Sequence, residues 1–231
     1  MNRSLATSSL WILAATAVLV VALVPFDPMI SQRAQGLPGA IVGFNERITD
    51  FGTFSWMIYG SGFVVILAYV MRRVSGSDTL GGKARTGGRL SLYFFLTIGA
   101  TSTLVHLFKL FVGRARPALF EEHGAYSLTP FAYDDLYSSF PSGHSAAVGA
   151  FFGAFSMLAP HLRPLFLIGA LTIGVSRVIV GAHYPSDVAA GLLLGLWTAV
   201  ATAYVFARKE WLFRFDARGW PLPKSLLPKA Q

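Results

Sequence analysis

The stretch LSLYFFLTIGATSTLVHLFKLFV, residues 90–112, contains one charged residue, Lys109, close to its end. A helix needs about 20 mostly apolar residues to cross the hydrocarbon core of a bilayer, so this stretch predicts a membrane-spanning helix. Five further runs have the same character, roughly Leu10 to Pro25, Phe54 to Met71, Ser142 to Ala159, Leu165 to Ala182 and Asp187 to Ala207. The sequence therefore predicts an all-α, polytopic membrane protein with a bundle of six transmembrane helices.

The composition agrees with a chain surrounded by lipid. Of the 231 residues, 54% are hydrophobic and 13% are charged, whereas a soluble domain has about 25% charged residues. The net charge of +8 is spread between the apolar runs and forms no single basic face, so no nucleic-acid partner is expected. The absence of cysteine excludes disulfides and thiolate ligands.

Charge asymmetry predicts the orientation in the membrane. The connection Arg72 to Arg89 and the tail after Ala207 are rich in Lys and Arg, which marks the cytoplasmic side, and both termini then lie inside. In the tail, residues 208–231, aromatic residues alternate with basic ones. This pattern predicts a basic interfacial tail containing an amphipathic helix on the membrane surface.

Two connections on the outer side are too polar to span the membrane. Phe26 to Thr53 has apolar residues at nearly helical spacing, which predicts short helices on the outer surface. Gly113 to Pro141 combines four acidic residues with many aromatic ones, which favours a folded cap over a disordered linker.

Titratable groups occur at the ends of odd helices and the starts of even ones. Alternation of the helices across the membrane brings all these ends to the outer side. The residues concerned are Lys109, Arg114, Arg116, His144, Arg177, His183 and Asp187. Charged groups are costly within a bilayer, so their gathering at one face predicts a functional site.

The cluster suits a tetrahedral oxyanion. Lys109, Arg116 and Arg177 supply cationic donors, and guanidinium groups match phosphate oxygens. Ser142 is a plausible N-cap, and Gly143 allows the backbone to approach an anion at the positive end of a helix.

Two histidines suit phosphoryl transfer through a phosphohistidine. His183 precedes Asp187 by four residues, so the carboxylate can hold one ring nitrogen and leave the other as the nucleophile. His144 can protonate the leaving oxygen. His106, one turn before Lys109, is expected to pack or to support the site.

Three segments carry a family resemblance: Lys109-x6-Arg116-Pro117, Pro141-Ser142-Gly143-His144 and Ser176-Arg177-x5-His183-x3-Asp187. Together they resemble the three-part signature of the type 2 phosphatidic acid phosphatase family, which shares its pocket with vanadium haloperoxidases. All parts occur in order and without departure. The resemblance makes residues 1–231 a single six-helix membrane phosphatase domain, with its signature motifs at 109–187.

The resemblance also implies roles. His183 would attack phosphorus, Asp187 would orient it, and His144 would act as acid and then as base. The phosphate would be surrounded by Lys109, Arg116, Ser142, Gly143, His144 and Arg177. No metal and no cofactor would be required, because the cations neutralise the phosphate.

A site at the outer ends of membrane helices suits a lipid whose tails stay in the bilayer. The expected protein is a lipid phosphatase of a bacterial inner membrane with its site facing the periplasm. Phosphatidic acid, phosphatidylglycerophosphate, undecaprenyl diphosphate and a lipid A phosphate are all candidate substrates, and the sequence does not indicate an oligomeric state. A lipid phosphotransferase, a haloperoxidase holding vanadate and a non-enzymatic transporter are the alternatives.

Overall fold

A computed structural model of the chain describes residues 3–224 and consists almost entirely of helices. In chain order the helices are α1 (Arg3–Leu23), α2 (Asp27–Gln35), α3 (Gly39–Thr49), α4 (Phe54–Val74), α5 (Asp78–Val112), α6 (Phe120–His123), α7 (Gly143–Leu158), α8 (Arg163–Ile179) and α9 (Pro185–Arg208). They are followed by two short strands, β1 (Phe213–Phe215) and β2 (Pro221–Pro223).

The chain is a multi-pass membrane protein, as predicted. Within the described residues, five helical stretches are long and apolar enough to cross a bilayer, namely Leu13–Gln35, Gly39–Val74, Asp78–Val112, Pro160–Ile179 and Pro185–Arg208. The remaining predicted span corresponds to α7, an apolar helix of 16 residues. At 1.5 Å per residue α7 is about 24 Å long, shorter than the hydrocarbon core, so the expected count of six spans is approximate.

Helix α5 is longer than predicted. Arg72 to Arg89 was expected to connect two membrane-spanning helices, but only 75–77 separate α4 from α5. The hydroxyl of Ser77 caps α5 by accepting a hydrogen bond from the amide of Leu80. Nearby, Gly88 lets α5 approach α4 closely, because a Cβ at this position would lie 2.9 Å from the Cβ of Ala68. The cap and this packing keep a charged, glycine-rich segment helical.

The prediction of an amphipathic helix in the tail is wrong for the described residues. Residues 213–223 form an antiparallel hairpin in which Phe213 pairs with Pro223. Asp216 accepts hydrogen bonds from the amides of Arg218 (2.9 Å) and Trp220 (2.8 Å), which forms the turn. The Phe213 side chain is fully buried, with its ring centroid 5.1 Å from that of Tyr93. Burial of this aromatic ring and two prolines in β2 favour the hairpin over a helix. Residues 225–231 of the predicted tail lie outside the described residues.

Helices α7 and α9 form the centre of the bundle. A Cβ added at Gly149 would overlap the carbonyl oxygen of Leu192, and one at Gly195 would overlap that of Ala146. The paired glycines therefore allow the two backbones to touch, as expected for small residues in membrane helices. This packing fixes the start of α7 against the start of α9, and the amide of Ser142 donates to the carbonyl of Asp187 at 3.0 Å.

Three further segments enclose the end of the bundle where α5 and α8 end and α7 and α9 begin, here called the site end. Helices α2 and α3 form within the predicted segment 26–53 and pack against α8. The connection 113–141 is folded, as predicted, with a bridge between Arg114 and Leu128. These segments build the walls of the site end; their position at a membrane surface remains a prediction.

Candidate active site

The predicted site residues meet at the site end. Lys109 lies in the last turn of α5, Arg177 in the last turn of α8, and Asp187 in the first turn of α9. His144 is the second residue of α7. The side chains that interact electrostatically with His144 are Lys109, Arg116, Arg177 and His183. The structure therefore brings together groups that span residues 109–187 of the sequence.

His183 lies in a turn, whereas the sequence was expected to place it at the end of a helix. Helix α8 ends at Ile179, and Gly181 adopts a left-handed conformation with φ of 71°. The His183 ring is almost fully buried, and its Nδ1 lies 3.9 Å from Oδ2 of Asp187 and 3.5 Å from Oγ of Ser139. The opposite ring nitrogen, Nε2, is left for chemistry.

Three donors hold the Asp187 carboxylate in place. Oδ2 accepts a hydrogen bond from the hydroxyl of Ser139 at 2.6 Å and from the amide of Tyr184 at 3.0 Å. Oδ1 accepts one from Nη1 of Arg114 at 2.6 Å. Pro185 begins α9, which fits its fixed φ and its missing amide donor. These three hydrogen bonds fix the orientation of the carboxylate independently of its contact with His183.

Arg114 is the main functional residue that the sequence argument missed, because it was noted only as one of the charges near the site end. Its Nη2 lies 2.8 Å from Oδ2 of Asp27, so one guanidinium bridges two carboxylates. Arg114, Asp27 and Asp187 are all buried. Ser186 joins them, accepting from Arg114 at 2.8 Å and donating its amide to Asp27 at 2.9 Å. We call Asp27, Arg114, Ser186 and Asp187 the ion network.

The start of α7 has the predicted capping geometry. The Ser142 hydroxyl accepts a hydrogen bond from the amide of Ser145 at 3.4 Å. A Cβ added at Gly143 would lie 3.9 Å from the ammonium nitrogen of Lys109 and 3.8 Å from the ring of Phe54. Gly143 therefore brings the N-terminus of α7 and the Lys109 ammonium to the same place, where both favour an anion.

Three cations at the site end have no carboxylate partner in the part of the chain that the structure describes. Among the described residues, no Asp or Glu oxygen lies within 4.0 Å of Lys109, Arg116 or Arg177. Arg116 donates to the backbone carbonyl of Asp135 at 2.7 Å, and Arg177 donates to the hydroxyl of Thr49 at 3.0 Å. The Nε of Arg177 is buried and has no hydrogen-bond acceptor within residues 3–224. We call these three residues the cation cradle, and an anion is the partner that it lacks.

Comparison with known proteins agrees with this geometry. The model of the PAP2 superfamily matches residues 90–211. The chain belongs to the PAP2 superfamily. It is 38% identical over 212 residues to a lipid A 1-phosphatase from Rhizobium johnstonii, covering 92% of this chain and 86% of the relative. It is 40% identical over 191 residues to a lipid A 1-phosphatase from Rhizobium etli, covering 83% of this chain and 82% of the relative.

A solved structure also has this fold. The transmembrane PAP2-type phosphatidylglycerolphosphate phosphatase from Bacillus subtilis superposes with a TM-score of 0.59, covering 87% of this chain and 96% of the other, at 21% identity. The predicted family and fold class are therefore confirmed.

Burial sets the protonation state of His183 in this PAP2 site. Its pKa is lowered to about 4, mainly because burial removes the ring from water; Asp187 opposes this effect, and the nearby cations Arg116 and Lys109 add to it. His183 is thus neutral at pH 7, the state that a nitrogen nucleophile requires. Burial alone would lower the pKa of Arg114, but Asp187 and Asp27 raise it above its usual value.

Apart from His144 and His183, the histidines lie outside the PAP2 cluster. His123 contacts the hydroxyl of Tyr137 at 3.0 Å in the folded connection, and His106 is exposed on α5. Across the residues that the structure describes, no group of three His, Cys, Asp or Glu side chains is arranged to hold a metal ion.

Proposed function

We propose that this chain is an integral-membrane lipid phosphatase that cleaves a phosphomonoester or diphosphate of a membrane lipid through a phosphohistidine. The observation that carries the proposal is the cation cradle, which lies unpaired beside a neutral, buried histidine. A lipid phosphate fits a site that holds positive charge at the end of membrane-spanning helices.

The reaction proceeds in two transfers. Nε2 of His183 attacks phosphorus, the bond to the lipid oxygen breaks, and His144 gives that oxygen its proton. Water then attacks the phosphohistidine while His144 takes a proton from it, and the bond between phosphorus and nitrogen breaks to release inorganic phosphate. Lys109, Arg116, Arg177, Ser142 and Gly143 hold the phosphoryl oxygens through both steps.

The ion network positions the nucleophile. Asp187 faces Nδ1 of His183, and Arg114 and Ser139 hold Asp187. A fixed carboxylate keeps the His183 ring oriented and stabilises the positive charge that the ring acquires during attack. Asp27 pairs with the second half of the Arg114 guanidinium, so two carboxylates share one cation and the network keeps a net formal charge of −1 beside the His183 ring.

The preferred substrate is lipid A carrying a 1-phosphate. Two relatives that are 38% and 40% identical over most of this chain bear that activity in their names. We further propose a bacterial inner membrane as the location, with the site end facing the periplasm, both termini in the cytoplasm and the basic tail at the inner surface. The basic residues at the opposite end of the bundle support this orientation.

A phosphate-release screen tests the substrate. Purified protein in detergent with EDTA is given lipid A, phosphatidic acid, phosphatidylglycerophosphate or undecaprenyl diphosphate, and His183→Ala serves as the inactive control. We expect release from lipid A at the highest kcat/KM, unaffected by EDTA. Faster release from any of the other three would replace the preferred substrate, and EDTA inhibition reversed by a divalent ion would contradict the metal-free mechanism.

Labelling with a membrane-impermeant thiol reagent tests the orientation, because the chain has no cysteine of its own. In spheroplasts, a cysteine at Glu122 should react and one at Ser77 should not. The reverse pattern would place the site in the cytoplasm.

A further inference from the structure

A groove of about 560 Å³ lies between α4 and α5. Its lining consists of Ile58 from α4, of Gly99, Leu107 and Leu110 from α5, and of a polar wall formed by the α5 side chains Ser102, Thr103 and His106. Polar side chains in a membrane-spanning segment are costly when they face only hydrocarbon, so a polar wall within a span indicates a ligand or a functional contact. Neither the catalytic mechanism nor the packing of the bundle uses this wall.

His106 presents a hydrogen-bond acceptor to the groove. Its Nδ1 lies 2.7 Å from the carbonyl oxygen of Ser102, one turn earlier on the same helix. A carbonyl oxygen only accepts, so Nδ1 is the donor of this hydrogen bond, which leaves Nε2 as the acceptor nitrogen of the ring. The ring is exposed and lines the groove. Thr103, in contrast, donates its hydroxyl proton to the carbonyl of Gly99 at 3.0 Å.

The groove lies beside the cation cradle along α5, since Leu110 and His106 of its lining flank Lys109 in the sequence. Lys109 and Phe54 both flank Gly143 at the start of α7. His106 precedes Lys109 by three residues on α5, about 4.5 Å along the axis, and Ile58 follows Phe54 by one turn on α4. A lipid whose phosphate lies in the cradle therefore has the atoms next to its phosphate at the depth of His106.

We infer that His106 recognises a phosphorylated glycolipid by accepting, at Nε2, a hydrogen bond from an N–H or O–H beside the phosphorylated sugar carbon. This inference rests on the proposed function. The sugar of lipid A bears an amide N–H on the carbon next to its 1-phosphate, whereas phosphatidic acid has only ester oxygens there. A polar group that lines a binding groove sets specificity in this way, because it is left unpaired by a ligand that lacks the donor.

Two synthetic lipids test the inference. One is a glucosamine 1-phosphate lipid that carries its acyl chain on C2 through an amide. The other is the matching glucose 1-phosphate lipid with the chain on C2 through an ester, so the N–H of the first is an oxygen in the second. For the wild-type protein we expect kcat/KM to favour the amide by roughly three- to tenfold, the net value of one hydrogen bond. The ratio should fall to about one in His106→Leu and be partly kept in His106→Gln, whose amide oxygen accepts.

Thr103→Val is the matched control, since it removes a hydroxyl from the same wall and should keep the wild-type ratio. Hydrolysis of p-nitrophenyl phosphate, which has no sugar, should be equal in all four proteins and shows that each is folded. An unchanged ratio in His106→Leu, a lost ratio in Thr103→Val, or no wild-type preference would each overturn the inference alone. Absence of phosphate release from both glycolipids by a wild-type protein that is active on phosphatidic acid would instead overturn the proposed substrate.

Discussion

Arg114 and Arg116 are separated by one residue, yet they occupy opposite electrostatic environments. Arg114 is buried between two carboxylates at 2.6 and 2.8 Å, so its charge is neutralised within the protein. Arg116 donates its Nε to a backbone carbonyl and, in the described part of the chain, has no carboxylate within 4.0 Å. A paired guanidinium holds the structure in place, and an unpaired one is available to a ligand. The ion network and the cation cradle differ in the same way.

The largest loss of activity is expected on substitution of the nucleophile His183, which the ion network orients and beside which the cation cradle holds the phosphate. His183→Ala should reduce turnover by about 10³-fold or more, because no phosphohistidine can form. The measurement is phosphate release from the preferred lipid, with membrane insertion checked by yield. The control is His161→Ala, in the short connection between the end of α7 and the start of α8, at the opposite end of these helices from the site. Residual activity within about tenfold of the parent would remove His183 from this role.

His144 should show a smaller effect that depends on the leaving group. A lipid alcohol leaves poorly without a proton, whereas p-nitrophenolate leaves unaided, so His144→Ala should slow the alkyl phosphate by about 10²- to 10⁴-fold and the aryl phosphate much less. Both rates are measured on the same preparation. Equal losses on the two substrates would mean that His144 only binds phosphate.

Substitution of Arg114 and of Arg116 should lower the free energy of unfolding by different amounts. Arg114→Gln leaves two buried carboxylates unpaired and should cost about 3 to 5 kcal/mol of the free energy of unfolding. Arg116→Gln removes a charge that has no carboxylate partner and should change stability by less than about 1 kcal/mol. Thermal unfolding in detergent, followed by circular dichroism, compares them. Equal destabilisation would show that both arginines are structural.

The smallest effect concerns the titration of His183. Because its pKa is lowered to about 4 in the folded protein, the ring should stay neutral as the pH falls from 7 to 5. In the unfolded chain the same ring binds a proton at its ordinary pKa of about 6.5. The free energy of unfolding is therefore not reduced by this ring above pH 6.5, and it decreases as the pH falls toward 4. Carbon-13 NMR of labelled histidine, with His183→Asn identifying the signal, measures this. Titration near pH 6.5 would mean that water reaches the ring.

Most of the fold was predictable, because bilayer thickness sets the length of apolar runs. The start of α5 could not be predicted, because the charges and glycines of 78–89 are typical of a loop. The Ser77 cap and the close approach of Gly88 to Ala68 explain why this segment is helical. The hairpin was missed because alternating aromatic and basic residues suit an amphipathic helix as well as a strand. Burial of Phe213 against Tyr93 decides between them.

The grouping of Lys109, His144, Arg177 and Asp187 could be predicted from alternation of the helices alone. The ion network could not, because its contacts join distant parts of the chain. Asp27 lies 87 residues before Arg114 in the sequence, and no local pattern pairs them. Ser139 was missed for the same reason, since its contact with Asp187 depends on how the connection 113–141 folds.

Binding of vanadate tests the distinction between the two regions most directly, because vanadate resembles the transferring phosphoryl group. Isothermal titration in EDTA should show one vanadate per wild-type chain. Arg177→Gln, in the cation cradle, should weaken binding by at least about tenfold, whereas Asp27→Asn, in the ion network, should leave the Kd within about threefold. Equal weakening by both variants, or binding only after a divalent ion is added, would contradict the assignment of phosphate binding to the unpaired cations.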